Sequence, residues 1–62
     1  MILGLDISTS ITGYTILDSS GDIVVCDHID LRKEKNFFQK CAAIEGQLAA
    51  IRNDYFIEHI YI

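Results

Sequence analysis

The stretch Ile2-Leu3-Gly4-Leu5-Asp6-Ile7-Ser8-Thr9-Ser10-Ile11-Thr12-Gly13-Tyr14-Thr15-Ile16 decides the fold. It opens with a short apolar run that stops at an acid and a cluster of hydroxyl residues. A run of that length, bounded by turn formers, reads as a buried central strand. Residues Thr12 to Asp18 follow as a second strand, rich in β-branched and aromatic side chains. The loop between the two is short, so the strands are expected to be antiparallel. Asp18-Ser19-Ser20-Gly21-Asp22 is a turn in which Gly21 supplies the positive φ. Ile23 to Ile29 is then the third strand, antiparallel to the second.

Downstream the period changes from two to between three and four. Phe37, Cys41, Ile44, Leu48, Ile51 and Tyr55 form a helical stripe. Asn36 is placed to cap a helix over 37–53, with Gln39 three residues later in capping-box fashion. His59 to Ile62 is β-prone again. The order is therefore β-β-β-α-β, an α/β fold whose last strand is expected to return parallel to the first. Ala42, Ala43, Gly46, Ala49 and Ala50 give the helix a second face of small residues. A helix apolar on several sides is expected to be buried on several sides.

The 62 residues allow one domain at most, residues 1–62. Half of them are hydrophobic and 23% are charged, which excludes a disordered chain. No apolar run approaches the roughly 20 residues of a membrane span, and Met1-Ile2-Leu3-Gly4 has no signal-peptide pattern, so a cytoplasmic protein is expected. A chain of about 60 residues buries only about 60% of its unfolded surface, and such domains lean on disulfides, metals or partners. Two cysteines do not make a disulfide framework. The small-residue helix face and the uncovered last strand instead predict a homo-oligomer.

The net charge is −4, the reverse of what a chain gripping nucleic acid alone usually carries. Four of the five cations, Arg32, Lys33, Lys35 and Lys40, nevertheless fall within nine residues. Among candidate chemical groups, Asp6 stands first. A carboxylate at the carboxyl end of a central strand is where α/β sheets place ligands and metals, and hard cations take oxygen ligands. The plain alternative is a turn-initiating aspartate. Cys26, His28 and Cys41 lack a fourth partner for a structural zinc site.

The segment Gly4-Leu5-Asp6-Ile7-Ser8-Thr9-Ser10-Ile11-Thr12-Gly13-Tyr14 resembles the opening of RuvC-type Holliday junction resolvases, which belong to the ribonuclease H-like superfamily. The element order β-β-β-α-β matches the first part of that family's fold, so the chain reads as a truncated ribonuclease H-like domain. The resemblance implies a metal-dependent endonuclease acting on branched DNA. It implies magnesium, or manganese, as cofactor and Asp6 as a catalytic, metal-binding carboxylate. Ser8 stands where the family usually has glycine.

The family's second carboxylate lies at the end of the strand after the helix, and its last acids have no counterpart before Ile62. Glu58 is the candidate second acid if the strand is Tyr55 to Ile57. If the strand is His59 to Ile62, Glu58 lies at the wrong end, roughly 13 Å from Asp6 by strand rise. Two-metal hydrolysis needs clustered acids, so the isolated chain is expected to be inactive. Two other readings remain. Actin-like ATPases and sugar kinases also open with a strand, an aspartate and a polar turn. A non-catalytic, oligomerising α/β module requires no site at all.

Overall fold

A computed structural model describes all of residues 1–62. Strands β1 (Ile2–Asp6), β2 (Ile11–Leu17) and β3 (Ile23–Asp30) are followed by helix α1 (Phe37–Asp54) and strand β4 (His59–Tyr61). They form one mixed sheet in the order β3-β2-β1-β4. β1 and β2 pair antiparallel, as do β2 and β3, while β4 returns parallel to β1 with Ile2 opposite His59. The expected element order is present, and each strand boundary falls within a residue or two of its expected place.

Side-chain alternation divides the sheet into two unlike faces. Leu3 lies opposite Ile16 and Leu5 opposite Tyr14, so these four side chains share a face. Leu3, Tyr14 and Ile16 are buried there with Ile51 of the helix, and Met1, Leu5, Val25, Ile29, Leu48, Tyr55 and Ile57 pack around them. The other face carries Gly4, Asp6, Gly13, Thr15, Cys26, His28 and Tyr61, and no second layer covers it. One helix can cover only one side of a sheet.

Both connections at the sheet ends are held by short side chains. Asp18 Oδ1 accepts from the amides of Ser20 and Asp22 at 2.9 and 3.0 Å, closing the β2–β3 loop around Gly21 at φ +86°. A register shift beside Leu17 leaves Val24 unpaired, as in a β-bulge. Asn36 caps the helix, its Oδ1 accepting from the Gln39 amide at 2.9 Å. The reciprocal bond differs from a strict capping box: Gln39 Oε1 accepts from the Lys35 amide, one residue before the cap, at 3.0 Å.

The helix departs from expectation in its burial. Only Ile51 is fully buried, and Ala42, Gly46, Ala49 and Ala50 face outward. Phe37 heads the apolar stripe yet is 66% exposed. An 18-residue helix is about 27 Å long, whereas the five-residue strand β1 runs only about 17 Å. The eight-residue β3 matches the helix in length, so it is the central strand, not the whole sheet, that the helix outruns. Leu31 is fully buried and shares a small pocket with Phe37, Cys41 and Ile44.

Candidate functional site

Asp6 is the last residue of β1 and lies on the uncovered face. Its position is set by the residue opposite. Gly13 pairs with Asp6, and a Cβ on Gly13 would stand 3.9 Å from the Asp6 Cβ. Glycine at this point leaves the carboxylate open on the β2 side. His28 continues the same row on β3, opposite Gly13. The row beneath it holds Tyr61, Gly4, Thr15 and Cys26. Gly4 and Gly13 thus floor a shallow groove of about 400 Å³, bordered by Asp6, Thr15, Cys26 and Tyr61. The Asp6 carboxylate is exposed and has no ion-pair partner.

Thr12 positions the turn that follows Asp6. Its side chain is fully buried, and its Oγ1 bonds twice to one residue. It accepts from the Ser8 amide at 3.2 Å and donates to the Ser8 carbonyl at 2.9 Å. Ser8 Oγ in turn accepts from the Ser10 amide at 3.2 Å, and the Ser10 carbonyl accepts from the Leu31 amide at 2.8 Å. The hydroxyls of Thr12 and Ser8 are therefore engaged in fixing the loop. Tyr14, next along β2, faces the core, its hydroxyl accepting from Gln47 Nε2 of the helix at 3.3 Å. Thr12, Gly13 and Tyr14 so act in sequence on the loop, the open face and the helix. Alternation along a strand was the available signal for Gly13 facing Asp6; nothing local predicted the Thr12–Ser8 pair.

Glu58 does not join Asp6. The strand is His59–Tyr61, and the Glu58 amide donates to the Met1 carbonyl at 2.8 Å, at the opposite end of β1. Five residues of strand rise separate that level from Asp6, about 16 Å. The Glu58 carboxylate instead meets the Met1 amino group at 3.1 Å. The local reason is that α1 continues through Asp54 and the chain then needs 55–58 to turn back under the sheet. Cys26 lies on the open face and Cys41 on the helix behind the other face, and both are free thiols. No three His, Cys, Asp or Glu side chains converge on one point.

At the same end of the sheet as Asp6, Asp30 closes β3 with a two-point grip on Arg32. Arg32 Nη2 donates to Asp30 Oδ2 at 2.7 Å, and Arg32 Nε and the Arg32 amide both donate to Oδ1 at 3.0 Å. The side-chain bonds from Arg32, helped by its amide, hold the Asp30 carboxyl well below the usual carboxylate range. The same pairing raises Arg32.

The donor set decides what could bind at Asp6. One exposed carboxylate suits a single hydrated hard cation, for which magnesium keeps most of its waters. It does not suit a pair of metals about 4 Å apart, which needs several carboxylates. No helix of the chain is long and apolar enough to cross a membrane. Comparison with family models, curated proteins and solved structures returns no match.

Proposed function

We propose that the chain is the N-terminal portion of a RuvC-like, ribonuclease H-like nuclease acting on branched DNA, and that Asp6 is its first metal-binding carboxylate. One observation carries this reading. In a sheet ordered β3-β2-β1-β4, Asp6 ends the central strand on the uncovered face, opposite a glycine that leaves it accessible. β1 and β4 form the sheet's one parallel pair, and the carboxyl end of such strands is where open α/β sheets gather ligands. Thr12 and Gly13 support the same reading, because Thr12 fixes the turn after Asp6 and Gly13 leaves its carboxylate open, while Tyr14 bonds the helix on the other face.

With a single carboxylate in place, Asp6 would hold one magnesium or manganese ion, and the chain alone would not cleave DNA. The parallel register sets Gly4 against Tyr61. A carboxylate one or two positions beyond Ile62 would therefore arrive beside Asp6. The direct test is incubation of the purified 62-residue chain with a four-way DNA junction and magnesium or manganese. No cleavage is expected. Metal-dependent cleavage that persists through repurification and vanishes in Asp6→Asn would refute the inactive reading.

A second reading is favoured by a separate observation. The open sheet face and the outward helix face of Ala42, Gly46, Ala49 and Ala50 are both uncovered. A self-associating α/β module without chemistry would present the same surfaces. The actin-like ATPase reading has weaker support, since the hydroxyls of Ser8 and Thr12 are already used within the loop and Ser8 replaces the glycine that close phosphate approach favours.

A further inference from the structure

Charge is segregated along this chain. Residues 30–40 hold four of the five cations and two acids, net +2, while the rest holds seven acids and Arg52, net −6. Asp30 occupies Arg32, which leaves Lys33, Lys35 and Lys40 without ion-pair partners. These lysines surround the N-terminus of α1, where the helix dipole favours acids, and the first turn contains none. The first-turn amides add to the imbalance. Gln39 and Lys40 donate to Asn36, but Phe37 and Phe38 find no acceptor within the chain. An isolated chain gains nothing from gathering cations at the positive end of a helix. An anionic partner would reverse that balance.

Two aromatic rings stand at the same helix end, Phe37 lining a pocket with Lys40. Phe37 and Phe38 are 66% and 83% exposed, with ring centroids 6.3 Å apart at an interplanar angle of 73°. Phe38 points away from the stripe that packs on the sheet. A ring left in water beside unpaired lysines offers a stacking surface that any base can use, and duplex bases are already stacked. Stable interfacial binding takes an apolar helix face, and beside these lysines only two rings at one helix end stand exposed.

We propose that Lys33, Lys35 and Lys40, with Phe37 and Phe38, form a contact surface for single-stranded nucleic acid, the lysines meeting phosphates and Phe38 stacking on a base. The surface is separate from the groove at Asp6. It rests on the nuclease reading only in its class of partner.

Fluorescence anisotropy with a labelled 15-nucleotide oligo(dT) in EDTA tests it on the full chain. Binding at micromolar protein is expected, weakening about tenfold or more between 50 and 200 mM salt for roughly three phosphate contacts. Lys33→Glu with Lys35→Glu should weaken it more than tenfold. Phe38→Ala should weaken it at least fivefold with the salt slope unchanged. Both sets of substitutions are at exposed positions, and circular dichroism verifies the fold. The absence of binding at 100 µM protein overturns the proposal. So does equal affinity for a duplex of matched length with Phe38→Ala unaffected, or binding to phosphatidylserine vesicles but not to oligo(dT). EDTA removes metal from the measurement, so this outcome and the fate of the Asp6 reading are read independently.

Discussion

Gly13 stands directly across the strand pair from Asp6, with room for a methyl group 3.9 Å from the Asp6 Cβ. That distance is ordinary van der Waals contact, so glycine is not required for folding here. Gly13→Ala is expected to leave stability unchanged or to raise it by up to about 1 kcal/mol, through lower unfolded-state entropy. Gly13→Leu should fold but shade the carboxylate and weaken cation binding. Urea denaturation beside a manganese titration of both variants measures the two effects separately. A large loss of stability in Gly13→Ala would mean that the glycine serves the backbone and not the site.

Thr12 gives the loop its shape through two hydrogen bonds to Ser8. Thr12→Val keeps the buried shape and removes both bonds. The expected cost is about 1–3 kcal/mol, because Ser8 loses its partners in a partly enclosed loop. Thr12→Ser should recover part of that. The midpoint of urea unfolding reads both. If valine were neutral, the loop would be held by the Ser8–Ser10 and Ser10–Leu31 bonds alone.

The fold was legible because its elements differ in period and are punctuated by strong turn formers. Gly21 and Asp18 marked one turn, Asn36 marked the helix start, and the Ile2–Asp6 run marked the central strand. Burial was less legible. The stripe from Phe37 to Tyr55 has the right period, but period cannot say that a 27 Å helix outruns the central strand it follows. The place of Glu58 hung on which of two segments, 55–57 or 59–62, forms the strand, which pairing with Met1 decides. The Asp30–Arg32 and Thr12–Ser8 pairs lay beyond pattern reading, since each depends on loop geometry that has no period.

The Asp30–Arg32 pair makes a prediction about acid. A carboxyl held below its ordinary range contributes stability above that range. The contribution fades as pH falls through the lowered value. Asp30 should therefore stay ionised at pH values below the ordinary carboxylate range. In Arg32→Ala it should titrate in the ordinary range. Carbon-detected NMR titration of the side-chain carboxyl follows this directly. Coincident titration of Asp30 in both proteins would mean that the pair does not persist in solution.

The uncovered surfaces bear on self-association. The chain exposes 4607 Å², against about 4,000 Å² expected for a compact 7.0 kDa protein. Sedimentation equilibrium at micromolar concentration is expected to show a dimer or larger species. Gly46→Glu should dissociate it if the helix face is the contact, and the monomer fold should tolerate the change because nothing lies within 4 Å of a Cβ there. Assembly that survives Gly46→Glu assigns the contact to the open sheet or its β4 edge. A single 7.0 kDa species would remove this reading.

As proposed, Asp6 binds a divalent metal on the open face of β1. Paramagnetic broadening of backbone amide NMR signals by substoichiometric manganese tests it residue by residue. Broadening is expected to centre on Asp6, Gly13 and Tyr61, which line the same groove, with Glu58 about 16 Å away much less affected. Asp6→Asn should abolish the pattern while changing stability by no more than about 0.5 kcal/mol, because the side chain is exposed and unpaired. Broadening that centres on Glu58 or on Asp18 and Asp22, or that persists in Asp6→Asn, would contradict it.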